Sequence, residues 1–375
     1  HMQQALGLAV GGTGWVSPNP LVGCVVVREG KVVGRGYHQR YGGPHAEIHA
    51  LREAGSRARG AALYVTLEPC CHTGKTPPCT DAILESQVRR VIVAMRDPNP
   101  RVDGGGLSRL QNAGVEVTLG VCESESRRLN EAFIKYITTR QPFVTSKSAI
   151  TLDGKIATRN GSSRWITGEA ARAVGHELRH ASDAVAVGIG TAAQDDPMLT
   201  TRIPGQAGSN PLRVVVDSSL RLSPSARLAD VGDDRRTLVA TTEQAADTRA
   251  EALRTRGVEV IGLPAQNDGR VDLGALCRAL GDRGIASLLV EGGAALTTAL
   301  LEQRLIDRMV FFVAPKIIGG DGVSVFAPCG VHSMDQALLL RNLTSRPVGS
   351  DLMLEAYPAW TPFSPQSDHG EGNAR

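Results

Sequence analysis

The sequence has no long run of basic residues, no apolar segment long enough to cross a membrane and no set of cysteines suited to a disulfide framework. Its 41 lysines and arginines are spread along 375 residues and leave a formal net charge of +3, which argues against a nucleic-acid-binding surface. Three of the seven cysteines are clustered and the others are scattered, a usage typical of a reduced, cytoplasmic protein. The G-x-G-x-x-G pattern is also missing, so the sequence has no Rossmann dinucleotide fingerprint.

The length of 375 residues predicts two domains. A boundary is predicted just before Pro142, because proline cannot continue the helix predicted for residues 122–140. We therefore predict one domain over residues 1–141, a second over residues 142–358, and a polar, disordered tail over residues 359–375. Strand-like and helix-like segments alternate through both halves, which predicts an α/β fold and, for the first half, a three-layer domain.

One group of residues in the first half carries the chemistry of a metal site. His45 and Glu47 lie in H-A-E, Cys70 follows a proline, and Cys79 comes just before a predicted helix. One imidazole and two thiolates can bind a tetrahedral zinc ion and leave a fourth position for water, as in catalytic sites. H-x-E followed by P-C and a second cysteine is the pattern of zinc deaminases that act on nucleobase-like amines. The pattern predicts zinc on His45, Cys70 and Cys79, with Glu47 as the catalytic proton shuttle.

Two other ligand sets remain open at this stage. His45 and His49 are four residues apart, as in H-E-x-x-H sites, but Glu47 then has the wrong offset and the cysteines are unused. Cys71 adjoins Cys70 and could replace it, although a ligand directly after the proline fits the motif better.

The segment between Cys70 and Cys79 is a polar loop of eight residues, longer than the two-residue spacer of many deaminases. Such a loop beside the metal would face the substrate. His72 and Lys75 are its candidates for ligand contact, with ordinary solvated loop residues as the equal alternative.

The second half has three segments with chemical potential. Lys147 and Asp153 flank a predicted strand and turn, and are candidates for positioning or proton supply. A glycine-containing turn leads to Asp195, and a Gly-Gly pair follows Glu291 at a strand-to-helix turn, where backbone N–H groups can meet a phosphate. Arginines, which can bind phosphate through two donors, are a further candidate for substrate contact.

Several motifs together resemble the bifunctional deaminase–reductase family of bacterial riboflavin biosynthesis. In the first half these are S-P-N-P-x-V-G-C-V-V-V, P-H-A-E-x-H-A-L and Y-V-T-L-E-P-C-x-H-x-G-x-T-P-P-C, and in the second half G-x-x-T-x-x-x-D-D-P-x-L-T and V-E-G-G-x-x-L. The resemblance extends from Gly7 to Leu354. It implies a cytidine-deaminase-like first domain and a second domain similar to dihydrofolate reductase, which binds NADPH without a Rossmann fingerprint.

The resemblance also implies the residues of each site. NADPH would contact Ala149, Trp165, Thr191, Asp195, Ser218, Gly293, Ala294, Ala295, Leu296, Thr297, Thr298 and Ala299, and its 2′-phosphate would contact Arg221. The ribosyl phosphate substrate would contact Ser163, Arg179, Leu199, Arg202 and Glu291. The pyrimidine would lie near Asn19, His38 and His72.

The implied function is a pair of consecutive reactions in riboflavin biosynthesis. Zinc-dependent deamination of 2,5-diamino-6-(5-phosphoribosylamino)pyrimidin-4(3H)-one would be followed by NADPH-dependent reduction of the ribosyl to a ribityl chain. A polynucleotide base deaminase with an accessory domain is the main alternative, but it needs a basic groove. A zinc-stabilised nucleotide-binding protein is a second alternative, and Glu47 beside an open ligand position argues against it. We expect a small phosphorylated pyrimidine as the partner, no nucleic acid or membrane, and a homo-oligomer.

Overall fold

A computed structural model describes residues 1–73, 77–99, 102, 104–205, 207–245 and 247–360. The described residues divide into two compact units, one up to Arg140 and one that begins at Gln141. Lys75 and most of the predicted tail lie outside the described residues. No helix within the described residues is long and apolar enough to cross a bilayer.

The first unit has a sheet of five strands in its described part, in the order β2-β1-β3-β4-β5. Strand β1 is antiparallel to β2 and β3, whereas β3, β4 and β5 are parallel to one another. The strands are β1 (Gly23–Arg28), β2 (Lys31–Tyr37), β3 (Ala62–Leu67), β4 (Arg90–Met95) and β5 (Glu116–Leu119). The helices are α1 (Met2–Ala9), α2 (Ala46–Ala54), α3 (Cys79–Glu85), α4 (Gly105–Asn112), α5 (Glu123–Leu129) and α6 (Glu131–Thr139).

Helices cover both faces of this sheet. Successive side chains of a strand point to opposite faces, so each strand packs against helices on both sides. On one face, Met2 and Ala5 of α1 pack with Val25 and Val27 of β1. On the other face α2 lies against β2 so closely that a Cβ at Gly36 would be 2.3 Å from the Ala46 carbonyl oxygen. Glycine in β2 therefore lets α2 approach the sheet and fixes the position of its first turn.

The structure corrects one predicted helix. The sequence predicts a single helix over residues 122–140, but α5 ends at Leu129 and α6 begins at Glu131. The side chain of Asn130 accepts a hydrogen bond from the Leu21 N–H at 2.8 Å and donates one to the Leu21 carbonyl at 3.0 Å. These tertiary bonds stabilise the non-helical backbone of Asn130, which sequence periodicity could not reveal.

The second unit has a nine-stranded sheet in its described part, in the order β11-β10-β9-β8-β12-β6-β13-β16-β15. The strands from β11 to β13 in that order are parallel, and β16 and β15 are antiparallel additions at one edge. The strands are β6 (Phe143–Thr151), β8 (Ala184–Gly188), β9 (Leu212–Val216), β10 (Thr237–Thr242), β11 (Glu259–Leu263), β12 (Ser287–Val290), β13 (Arg308–Ala314), β15 (Leu340–Val348) and β16 (Asp351–Pro358); β7 (Lys155–Ala157) and β14 (Val323–Ser324) form a separate pair. The helices are α7 (Glu169–His180), α8 (Ile189–Asp195), α9 (Asp247–Arg254), α10 (Leu273–Asp282) and α11 (Ala294–Glu302).

The sequence did not predict α8, β15 or β16. Strand β15 is exposed along nearly its whole length, so it lacks the apolar alternation by which a half-buried strand is recognised. Helix α8 has only seven residues, too few for a helical period to be distinguished from a loop. By contrast, the continuous apolar run from Ala184 to Ile189 predicts a strand of a parallel sheet with both faces buried, and the structure has β8 there with Ala184, Val185 and Ala186 buried.

Candidate active sites

Three metal-ligating side chains meet in the first unit. The ligand atoms of His45, Cys70 and Cys79 all lie within 4.8 Å of one another, the one such group found among the described residues. His45 is the residue that caps α2, Cys79 is the first residue of α3, and Cys70 lies in the loop after β3. Helix N-termini carry partial positive charge, which favours bound thiolates.

The distances between these atoms suit a tetrahedral zinc ion. The Nδ1 atom of His45 is 3.2 Å from the Cys79 Sγ and 3.6 Å from the Cys70 Sγ. Zinc bonds to nitrogen and sulfur at tetrahedral angles place such atoms about 3.5 Å apart. The Cys79 backbone N–H also points at the Cys70 Sγ, at 3.3 Å.

The electrostatics of the two thiols also favour a bound cation. Hydrogen bonding from Cys79 and His45 lowers the pKa of Cys70 to about 4, although burial opposes the shift. The pKa of Cys79 is raised because its thiol donates to Cys70 and is buried. A zinc ion held by both sulfurs would stabilise both as thiolates.

Glu47 lies in the first turn of α2, next to these donors, with only 3% of its surface exposed. Burial raises the pKa of Glu47 to about 7, and the neighbouring His45 opposes the shift. A carboxyl group with such a pKa can both accept and release a proton near neutral pH. The position and the protonation behaviour are those of a general acid–base group.

A polar pair lies beside the donors. The His38 ring is 5.3 Å from the His45 ring, measured between centroids. Its Nδ1 is 3.1 Å from the Pro44 carbonyl and its Nε2 is 3.2 Å from the Asn19 Nδ2. Burial lowers the pKa of His38, so the neutral ring donates to Pro44 and accepts from Asn19. His72, in contrast, is exposed on its loop.

The structure separates the alternative ligands from the donor group. Neither His49 nor Cys71 belongs to the group found among the described residues. The Cys71 Sγ instead lies against the start of α4, where a Cβ placed on Gly105 would be 3.0 Å from it.

Glu68 supports the loop of Cys70, a feature that the sequence analysis missed. Its buried carboxylate accepts hydrogen bonds from the N–H groups of Asp97, Gly104, Gly106 and Leu107 at 3.0–3.3 Å. These bonds join the segment before Cys70 to the start of α4. The signal was present in the sequence as a glutamate next to the metal motif, but its partners are distant in the chain.

A cavity of about 470 Å³ lies in the second unit. A second cavity, of about 350 Å³, shares several of its lining residues and extends to the start of α11. Both contain residues that follow β8 and β12, which are adjacent parallel strands, and ligands bind at such strand ends in α/β sheets. The predicted residues that line one or both cavities are Lys147, Ala149, Ser163, Trp165, Arg179, Thr191, Asp195, Leu199, Arg202, Glu291, Gly293, Ala294, Ala295 and Leu296.

A buried ion cluster forms one wall of these cavities. The Glu291 carboxylate accepts hydrogen bonds from the Arg179 Nε at 2.6 Å and Nη2 at 2.9 Å, and from the Lys147 Nζ at 3.3 Å. Burial alone would raise the pKa of Glu291, but Lys147 and Arg179 lower it to about 2. Glu291 is therefore an anion near neutral pH and orients two cations.

Other predicted residues are not brought to the cavities. The Ser218 hydroxyl accepts a hydrogen bond from the Val271 N–H at 3.1 Å, and the Thr298 hydroxyl accepts one from the Ala327 N–H at 2.8 Å. The exposed Arg221 side chain lies 3.8 Å from the buried carboxylate of Asp217. Thr297 and Ala299, farther along α11, line neither cavity.

Asp153 holds a turn rather than facing the cavities. Its carboxylate accepts hydrogen bonds from the Thr151 hydroxyl and from the N–H groups of Ile318 and Gly319. Hydrogen bonding from Thr151 and Gly319 lowers the pKa of Asp153 to about 2. These bonds favour a positioning role over proton supply.

Comparison with known proteins gives matches over both units. The family model for the cytidine and deoxycytidylate deaminase zinc-binding region matches residues 1–95, and the RibD C-terminal domain matches residues 142–354. The riboflavin biosynthesis protein RibD of Aquifex aeolicus is 45% identical over 94% of this chain and 96% of its own length. The chain belongs to the RibD family. The predicted fold class, cytidine-deaminase-like followed by dihydrofolate-reductase-like, is confirmed.

Solved structures of RibD proteins support the same assignment. RibD of Acinetobacter baumannii superimposes with a TM-score of 0.86 at 38% identity, covering 95% of this chain and 97% of its own. The Thermotoga maritima diaminohydroxyphosphoribosylaminopyrimidine deaminase/5-amino-6-(5-phosphoribosylamino)uracil reductase has a TM-score of 0.81 at 39% identity, with the same coverage of both chains.

The cavities of the second unit also contain a histidine that the sequence did not predict for the site. His176 lies on α7, three residues before Arg179, and lines the larger cavity. The spacing was visible in the sequence, because residues three apart on a helix share a face.

Substitution of the cysteines one at a time is expected to distinguish ligand from neighbour. We expect Cys70→Ser and Cys79→Ser to lose most bound zinc, because hydroxyl is a poor replacement for thiolate. Cys71→Ser is the matched control and should keep the zinc content of the unaltered protein. Metal analysis of the three purified proteins measures this directly, and loss of zinc in the Cys71 variant would contradict the assignment.

Proposed function

We propose that this protein catalyses two consecutive steps of riboflavin biosynthesis. The first is hydrolytic deamination of 2,5-diamino-6-(5-phosphoribosylamino)pyrimidin-4(3H)-one. The second is NADPH-dependent reduction that gives 5-amino-6-(5-phosphoribitylamino)uracil. The observation that carries the proposal is the pairing, in one RibD-family chain, of a His–Cys–Cys donor set beside a buried glutamate with an arginine-containing cavity in the other unit.

The deamination is assigned to residues 1–141. His45, Cys70 and Cys79 would hold zinc, which when bound lowers the pKa of a coordinated water toward neutrality. The Glu47 carboxylate takes a proton from the attacking water and delivers it to the departing amine. Its near-neutral pKa and its place beside the donors support this role.

Substrate positioning in this unit is assigned to Asn19 and His38. His38 accepts from the Asn19 Nδ2, so the amide is oriented with its oxygen available as an acceptor. Such an oxygen can accept a hydrogen bond from an amino group of the pyrimidine. His72, which is exposed on the loop between Cys70 and Cys79, is assigned a contact with the substrate.

The reduction is assigned to residues 142–358. NADPH supplies the hydride when it is bound in the smaller cavity, near Thr191 and the start of α11. Arg179 and Arg202 bind the phosphate of the substrate, because guanidinium groups match its oxygens. Glu291 holds Arg179 in the required orientation.

Product analysis with the full-length, zinc-loaded protein tests the proposal. Without NADPH, we expect the diaminopyrimidinone ribosyl phosphate to release ammonia and the deaminated intermediate to accumulate. When NADPH is added, the intermediate should be converted and NADPH oxidised in equal amount. Absence of ammonia from a zinc-loaded protein would contradict the first assignment, and NADPH oxidation without ribityl product would contradict the second. The homo-oligomer and the cytoplasmic location that the sequence predicts remain predictions.

A further inference from the structure

His176 lies at a corner of the larger cavity where cationic side chains converge. Its Nδ1 is 3.4 Å from the Arg179 Nη1, and that same nitrogen of Arg179 donates to the Thr200 carbonyl at 3.1 Å. Arg202 follows two residues after Thr200 and lines the same cavity. The imidazole therefore contacts one of the two guanidinium groups assigned to the substrate phosphate and lines the same cavity as the other.

The charges around this histidine come from several elements of the second unit. Burial is the largest influence and lowers the pKa of His176; Arg179 and Arg202 lower it further, while the Thr200 carbonyl and Glu291 raise it. The balance leaves the imidazole neutral near pH 7. The charged groups that line the cavity with it are Lys147 from β6, Arg164 from the segment before α7, Arg172 and Arg179 from α7, Asp195 at the end of α8, Arg202 from the loop after α8, Arg227 from the segment between β9 and β10, and Glu291 after β12.

A phosphate dianion bound between the two arginines would reverse this balance. It would neutralise the charges that oppose protonation and would offer an acceptor for a charged N–H. The proton would come from solvent, and no bond to the substrate is formed or broken.

We propose that His176 is a phosphate-sensing residue, neutral in the empty cavity and protonated as a third cation when the 5-phosphate of the substrate binds. It thereby makes affinity for the phosphorylated substrate dependent on pH, and selects against the unphosphorylated compound. The inference rests on the proposed reductase function, because it requires that the phosphate bind between Arg179 and Arg202.

Calorimetry with ribose 5-phosphate tests the proton uptake. The full-length, zinc-loaded protein is titrated at pH 7 in buffers of different ionisation enthalpy, and the slope of heat against that enthalpy gives the protons taken up per ligand bound. We expect uptake in the unaltered protein and a smaller value or net release in H176Q. Because the phosphate's own ionisation contributes equally in both proteins, the difference between them belongs to His176.

The matched control is H180Q, one turn later on the same helix. The His180 Nδ1 accepts from the Ser209 N–H at 3.0 Å and does not line either cavity. H180Q should keep the proton uptake of the unaltered protein. Equal uptake in H176Q and the unaltered protein, with ribose 5-phosphate bound by both, would overturn the inference.

Steady-state kinetics of the reduction give a second measurement. We expect H176Q to raise KM for the deaminated phosphorylated intermediate by about tenfold at pH 6.5, with a smaller effect at pH 8.5 and little change in kcat, because one charge-assisted hydrogen bond is lost. A fall in kcat at unchanged KM would overturn the phosphate-sensing role. If the unaltered protein neither binds ribose 5-phosphate nor reduces the intermediate, the proposed reductase function itself fails, a result distinct from the two above.

Discussion

Glu47→Gln is expected to reduce deamination by about 10²–10⁴-fold while leaving the reduction of a supplied deaminated intermediate unchanged. The loss is that of a general acid–base group in a site where water and the leaving amine both need a proton carrier. Glutamine has nearly the same shape, so the packing of the buried side chain is kept while its ability to take up and release a proton near neutral pH is lost. Ammonia release and NADPH oxidation, assayed separately on one preparation, measure the two activities.

The control for this variant is Glu53→Gln on the same helix. Glu53 is exposed and pairs with Arg35 at the surface, so its loss should leave both activities within about twofold, as for surface charges in general. Zinc content of the Glu47 variant must also match that of the unaltered protein. Full deamination in a zinc-loaded Glu47→Gln protein would show that another group carries the proton.

The donor set could be predicted from sequence because the chemistry depends on local motifs. His45 and Glu47 are two residues apart, and Cys79 begins a helix with a recognisable start. Glu68 and Asn130 were not predicted to be structural, because their partners lie more than 25 residues away. A side chain that bonds to distant backbone groups leaves no periodic pattern in the sequence.

The cavity residues show the same contrast between features that local sequence predicts and contacts that depend on distant parts of the chain. The sequence from Gly168 to His180 predicts a helix that includes Arg179, and the observed α7 is Glu169–His180. The pairing of Arg179 with Glu291 joins residues 112 positions apart, and only the adjacency of β8, β12 and β6 in the sheet brings them together. Sheet order is set by tertiary packing, so spacing along the chain could not give this ion cluster.

Glu291→Gln is expected to have the largest effect in the second unit. The Glu291 side chain is 10% exposed and forms ion pairs with both Arg179 and Lys147, which are 15% and 18% exposed. Removing one partner of a buried ion pair costs about 3–5 kcal/mol, because the remaining charge is left uncompensated. We expect kcat/KM for reduction to fall by about 10²-fold or more and deamination to be unaffected.

The loss of stability caused by Glu291→Gln should depend on pH in a defined direction. The folded-state pKa of Glu291, about 2, lies below the ordinary value of 4.5, so the carboxylate contributes its full stability above pH 4.5. That contribution is lost as the pH falls from 4.5 through 2, because the proton then binds more tightly to the unfolded chain. The free energies of unfolding of the unaltered protein and of Glu291→Gln should therefore become more similar as the pH falls over this range.

Hydrogen exchange of peptides from β6, α7 and β12 measures this difference within the second unit alone. The double variant Arg179→Met/Glu291→Gln separates charge balance from catalysis. Removing both partners should restore part of the protection of α7, since fewer uncompensated charges remain, while reduction stays low because the phosphate has lost a guanidinium group. If the single variant kept full protection and full reduction, Glu291 would not be the anion that holds this cavity together. If the double variant recovered reduction, Arg179 would not be a phosphate ligand.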